Sequence, residues 1–244
     1  MEPAAGLGVS FAAAEKRYGA VRALRPTTLE FHRGEFTALL GPNGSGKSTL
    51  LRLAAQLLRP TSGTIQFHGP AGEVSAAEAR RRLGVIAHAT LLYDELTAEE
   101  NLQLFARLYG LADTQAAIST RLAAAGLAGR ESSLVRTFSR GMRQRLTVAR
   151  ALLHSPGLLL LDEPSTGLDA AACDWLAEEL SRIHRAGCTI VMSTHQGGPA
   201  LSLATRTVWL DAGRVVRDSA AVAQTILSVP PSSGPPPPSS GAVM

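Results

Sequence analysis

The chain has 244 residues, 45% of them hydrophobic and 18% charged, with a net charge of +4 from 24 basic and 20 acidic side chains. This balance fits one large α/β domain and excludes a disordered chain. Its apolar runs stop well short of the roughly 20 residues a membrane span needs, and the N-terminal residues carry neither a basic start nor an apolar signal core.

Taken in chain order, the alternation in Val9-Ser10-Phe11 and Leu29-Glu30-Phe31 predicts strands of an N-terminal antiparallel sheet. Residues 36–40 read as a short buried strand that runs into a glycine-rich turn, followed by a helix over 49–58 that Pro60 and Ser62-Gly63 end. Residues 64–67 and 84–87 read as further strands. The triplet Arg80-Arg81-Arg82 is expected to be a solvated loop or helix end, since a nucleic-acid footprint needs a broader basic stripe. No nucleic-acid partner is expected.

From about 91 to 153 the texture becomes Ala/Leu/Arg-rich with helical spacing, as of a helical subdomain inserted into the α/β core; Thr97 and Glu100 form a capping box at the start of one of its helices. Residues 158–161 and 189–193 return to buried-strand character around a helix near 170–186. A hairpin over 207–210 and 214–216, joined through Ala212-Gly213, closes the domain. The expected domain is 1–228, and the Pro/Ser/Gly-rich stretch 229–244 is expected to be a disordered tail. Cys173 and Cys188 have no metal-ligand spacing and are expected to be reduced structural thiols.

Chemistry enters at Gly41-Pro42-Asn43-Gly44-Ser45-Gly46-Lys47-Ser48-Thr49, which matches the P-loop pattern with a strand before it and a helix after it. Glycines there let backbone N–H groups curl around phosphate, and the helix start adds its positive end. Lys47 is expected to bridge the β- and γ-phosphates of ATP, and Ser48 to ligate Mg²⁺. Lys47 is one of only two lysines in the chain, the other being Lys16. The apolar run 158–161 ends in Asp162-Glu163: Asp162 suits the Mg²⁺ shell, and Glu163 can polarise the attacking water as general base.

Phe138-Ser139-Arg140-Gly141-Met142-Arg143-Gln144-Arg145 resembles the signature motif of ABC transporter ATP-binding subunits, with Phe138, Arg140 and Met142 where the usual LSGGQ has Leu, its first Gly and Gln. Ser139 and Gly141 are retained. Pro164-Ser165-Thr166-Gly167-Leu168-Asp169 resembles the D-loop, a dimer-contact segment. Ser193-Thr194-His195 resembles the switch-histidine segment, and Tyr18 resembles the aromatic that stacks on adenine. The strand ending at Ala87 should lead to a glutamine, but His88 stands there, which puts the pH profile and metal coupling of that position in question. Within the family, the segment from Leu83 to Leu102 and the Ser-Arg-Gly-Met signature look like the haem-exporter ATPases of cytochrome c biogenesis, and are also similar to motor subunits of drug and polysaccharide exporters.

The resemblance implies an α/β P-loop NTPase fold of RecA-like type. It implies an ATPase whose two copies sandwich ATP between one P-loop and the opposite Ser139 segment. It also implies integral membrane permease subunits as partners, and a peripheral location on the cytoplasmic face of the membrane.

Overall fold

The computed structural model describes residues 5–220 apart from 88, 113 and 196. His88 and the 229–244 tail therefore lie outside the described residues. In chain order the elements are β1 (Gly8–Tyr18), β2 (Val21–Phe31), β3 (Phe36–Leu40), α1 (Lys47–Ala54), β4 (Ser62–Gly69), β5 (Gly72–Val74), α2 (Ala76–Arg81) and β6 (Leu83–Ile86). They continue with α3 (Ala98–Leu108), α4 (Thr114–Ala124), α5 (Arg140–Leu152), β7 (Leu158–Asp162), α6 (Ala170–Arg185), β8 (Thr189–Ser193), β9 (Arg206–Asp211) and β10 (Arg214–Ala220).

The strands form two sheets. An antiparallel sheet has the order β2-β1-β4-β5, and a six-stranded sheet has the order β10-β9-β3-β8-β7-β6. In the first, Val9 faces Phe31 and Phe11 faces Leu29, with Ser10 opposite Glu30 on the other side of the pleat. That is the period-two pattern of a half-buried sheet. The second sheet is parallel from β9 through β6, with β10 added antiparallel. Its central strands are buried on both faces, so their sequences read as continuous apolar runs.

Neighbouring residues of these strands serve different cores. Leu158, Leu160, Val191 and Leu39 pack with α1 and the antiparallel sheet, around Phe11, Phe31 and Leu50. Leu159, Leu161, Ile190, Met192 and Ala38 pack on the other face against Leu176 and Leu180 of α6. A third cluster, including Leu102 of α3, Ile118 and Leu122 of α4, and Leu146, Ala149 and Leu153 at α5, belongs to the helical insert. Helix α5 joins the insert to the sheet, because Val148, Ala151 and Leu152 on its other face belong to the α6-side core.

Helix α1 differs from the expectation at both ends. It starts at Lys47 because Gly46 takes a left-handed conformation (φ 107°) that sets the first turn. It stops at Ala54, four residues before the expected end, by a Schellman arrangement: Gln56 adopts φ 57°, its N–H meets the Leu53 carbonyl, and the Leu57 N–H meets the Arg52 carbonyl at 2.9 Å. The residue in the left-handed position is a glutamine, so the glycine that signals this stop is missing from the sequence. Strand β5 and helix α2 were not anticipated. They place Arg80 and Arg81 in the last turn of α2, with Arg82 at its C-cap. The Thr97–Glu100 capping box forms in both directions, at 3.1 and 2.8 Å. No helix among the described residues is long and apolar enough to cross a membrane.

Candidate nucleotide site

The loop between β3 and α1 needs its glycines for stated reasons. Gly41 has φ 138°, and a Cβ on it would collide with the Leu210 carbonyl of β9; Gly46 backs onto the Ala23 carbonyl of β2, 2.7 Å from where its Cβ would be. The loop is also braced from behind, where the Gly213 N–H of the β9–β10 turn donates to the Ser45 carbonyl at 3.0 Å. Pro42, Asn43 and Gly44 form the exposed crest, while Ser45 and Lys47 are buried. Thr49 completes the first turn of α1.

The Lys47 ammonium curls back over the loop and donates to the carbonyls of Gly41 (2.7 Å) and Pro42 (3.0 Å). Burial lowers its pKa, and the carboxylates of Glu163 and Asp162 oppose that shift. An ammonium held above a glycine loop, with a buried Ser45 hydroxyl in the same loop that has no hydrogen-bond partner among the described residues, fits a polyphosphate.

The register of β7 with β8 brings the second group of residues together. Asp162 lies opposite Ser193. One carboxylate oxygen of Asp162 accepts from the Ser193 hydroxyl (2.7 Å) and from the Ser48 hydroxyl (3.0 Å). A serine hydroxyl at a P-loop helix start beside an ionisable carboxylate is a donor set that fits Mg²⁺. Glu163 follows in a left-handed conformation (φ 51°), uncommon for a residue with this side chain and a place where strain is stored. Its N–H is held by the Ser193 carbonyl (3.2 Å) and hydroxyl (3.0 Å). Its carboxylate lies between the His195 ring, 2.9 Å from Nδ1, and the Thr166 hydroxyl, which donates at 3.2 Å. Ser48, Asp162, Ser193, Glu163 and His195 are thus linked side by side, and the Lys47 ammonium feels the charge of both carboxylates.

Ser139 and Gly141 lie elsewhere, at the start of α5. Ser139 caps that helix by accepting from the Met142 N–H at 3.2 Å. Among the described residues, a Cβ on Gly141 would meet nothing within 4 Å. No crowding inside the chain asks for glycine there. The surrounding bonds run to the loop after β7 and to the segment before α3: Gln144 donates to the Pro164 carbonyl at 2.9 Å, and Arg143 pairs with Asp94. Tyr18 ends β1 and is 47% exposed, and the Lys16 ammonium sits 5.4 Å from its ring centroid. Three participants escaped the sequence reading: Ser193, which ties Asp162 to Glu163, Thr166, which bonds the Glu163 carboxylate, and Gln144. All three stand inside quoted motifs, but only the β7–β8 register, the turn after β7 and the packing of α5 against it show what they touch.

A glycine phosphate loop opening a helix, with an acidic strand end beside it in a mostly parallel sheet, defines a P-loop nucleotide-binding domain. The comparisons narrow this. The sequence pattern described as ABC transporter matches residues 24–166, and the chain belongs to that family. It is 38% identical to the ABC transporter ATP-binding protein NatA of Bacillus subtilis (strain 168), over 80% of this chain and 81% of that one. It is 40% identical to Nod factor export ATP-binding protein I of Cupriavidus metallidurans, over 83% of this chain and 68% of the relative. It is 41% identical to the sulfate/thiosulfate import ATP-binding protein CysA 2 of Chromobacterium violaceum, over 82% and 55%. The dimeric post-hydrolysis structure of the ATP-binding cassette MJ0796, bound to ADP and Pi, superposes with a TM-score of 0.77 at 28% identity, covering 87% of this chain and 98% of that one. The chain is an ATP-hydrolysing subunit that drives transport.

Proposed function

We propose that Glu163 is the general base of this ATPase and that two copies of the chain enclose ATP between the P-loop of one and the Ser139 helix start of the other. The carrying observation is the position of Glu163, one residue past Asp162 and held between His195 and Thr166. In the step, a water oxygen bonds to the γ-phosphorus as the bond to the β,γ-bridging oxygen breaks. The water proton passes to the Glu163 carboxylate, and ADP and phosphate leave. Lys47 binds the β- and γ-phosphates, and the backbone N–H groups of 41–49 cradle them. His195 orients Glu163 and reaches the γ-phosphate side, and Tyr18 stacks on adenine. Ser48 and Asp162 would hold Mg²⁺, which when bound neutralises charge on the phosphate oxygens. In sequence, His88 stands where the family usually has glutamine, and we count it with the catalytic residues. The dimeric MJ0796 cassette supports the two-copy arrangement, as does the open space over Gly141, which leaves room for a facing chain.

We further propose that the chain sits on the cytoplasmic face of a membrane, bound to integral permease subunits, and powers an exporter. The Nod factor export relative and the Ser-Arg-Gly-Met signature support export. None of the relatives named above has haem in its name, and two of them name Nod factor and sulfate/thiosulfate instead, so we assign no haem cargo.

Glu163→Gln tests the core of this reading. The amide keeps the shape but takes no proton from water, so hydrolysis should fall by roughly 10²–10⁴-fold while ATP affinity holds. The variant should collect as an ATP-filled dimer in size exclusion with Mg-ATP. Wild-type turnover in this variant would refute the base assignment, and an inactive variant that stays monomeric with its membrane partner present would count against the sandwich.

A further inference from the structure

Arg140 occupies the position that is glycine in the usual signature, and its side chain has a specific destination. Its Nη2 donates to the Thr166 carbonyl at 2.7 Å, 26 residues away in sequence. The guanidinium lies against Gly167, where a Cβ would collide with it; Gly167 also has φ 71°, so the turn gives Arg140 its room only as glycine. Thr166 is the residue whose hydroxyl donates to Glu163 Oε2 at 3.2 Å, and its N–H donates to the Glu163 carbonyl at 3.2 Å. Gln144, one turn further along α5, fastens the same loop through the Pro164 carbonyl.

Arg140 also stands at the first position of α5, where no acidic residue occupies the first turn. A cation there lies at the unfavourable end of the helix dipole. Helix stability therefore gives no reason for an arginine, whereas the contact with Thr166 and Gly167 does.

We propose that Arg140 is a positioning residue for ATP hydrolysis: it holds the 166–167 turn so that the Thr166 hydroxyl fixes the Glu163 carboxylate. The signature helix and the catalytic carboxylate of one chain are then joined by a strap, Arg140 to Thr166 to Glu163. This inference rests on the proposed role of Glu163 as base.

The test is a double-mutant cycle on ATP turnover of the full chain with its membrane partner. Arg140→Ala should lower kcat roughly tenfold, as expected for a misplaced catalytic group, with KM for ATP unchanged. Thr166→Val should lower kcat similarly, and the double variant should be no slower than the slower single one. Arg140→Lys, which keeps a donor that reaches the carbonyl, should recover most of the activity. Arg140 is exposed, so the melting temperature should not move. Additive effects of the two substitutions, or a raised KM with unchanged kcat in Arg140→Ala, would overturn the strap; the second result would mean that Arg140 acts on nucleotide. Glu163→Gln separates the two claims. If that variant keeps wild-type turnover, the base reading fails. If it is inactive while the cycle is additive, only the strap fails.

Discussion

The P-loop region and the start of α5 both present a helix N-terminus suited to phosphate, yet they are built in opposite ways. The first is held from inside. Lys47 is 5% exposed, β2 and the β9–β10 turn press on the loop, and two hydroxyls from different elements converge on Asp162. The second faces outward. Ser139 and Arg140 are exposed, and the space over Gly141 is open. The bonds of Arg140, Arg143 and Gln144 orient α5 from the side and leave its end uncovered. On the proposed reading, the difference teaches that the first binds nucleotide within one chain while the second is half of a surface that a second chain completes. The two substitutions that follow probe each half.

Lys47→Ala should have the larger effect of the two. Charge-assisted hydrogen bonds contribute about 1.5–3 kcal/mol each, so ATP affinity of the isolated chain should fall at least about 100-fold, as read by calorimetry. Unchanged affinity would remove the P-loop from the binding site.

Ser139→Ala should act on the other half alone. Calorimetric affinity of the monomer for ATP should hold, while turnover with the membrane partner falls about tenfold, the loss of roughly one hydrogen bond to a charged group. The helix also loses its cap, at a cost of about 1 kcal/mol. A monomer whose ATP affinity drops as in Lys47→Ala would erase the distinction between the two halves.

A third prediction concerns stability at the joint between the helical insert and the sheet. His154, just past α5, stacks on Tyr109 of the insert (3.9 Å, 24°) and donates from Nε2 to the Leu83 carbonyl of β6 at 2.9 Å. Nearby, Arg150 donates to the Val85 carbonyl and lies over the Phe105 ring. Burial, reinforced by the charges of Arg150 and Arg121, lowers the His154 pKa to about 4. The unfolded chain, with a pKa near 6.5, then binds the proton that the folded chain refuses. This contribution is fully present above pH 6.5 and is lost as pH falls from 6.5 to about 4, amounting to about 3 kcal/mol. Chemical denaturation across that range should show it, and His154→Phe should flatten that part of the curve. A wild-type curve with no such fall would mean that His154 is not held neutral.

The motif-bearing residues are local in sequence: 41–49 curl into a phosphate loop because glycine permits the conformation, and 158–161 are apolar because a central parallel strand is buried on both faces. The Val9–Phe11 and Leu29–Phe31 alternation, the Thr97 cap and the Ala212-Gly213 turn were equally legible, since each depends on residues a few positions apart. What the sequence did not carry was convergence. Ser193 meets Asp162 because β7 and β8 are in register, Thr166 reaches Glu163 through a left-handed turn, and Arg140 crosses 26 residues to a carbonyl. The stop of α1 at Ala54 was hidden because Gln56 takes a conformation that glycine normally marks. Short-range preferences are set by side-chain and backbone sterics, which the sequence spells out. Contacts between distant segments depend on how the sheet stacks its strands and on where burial forces each helix face, and these only the folded chain decides.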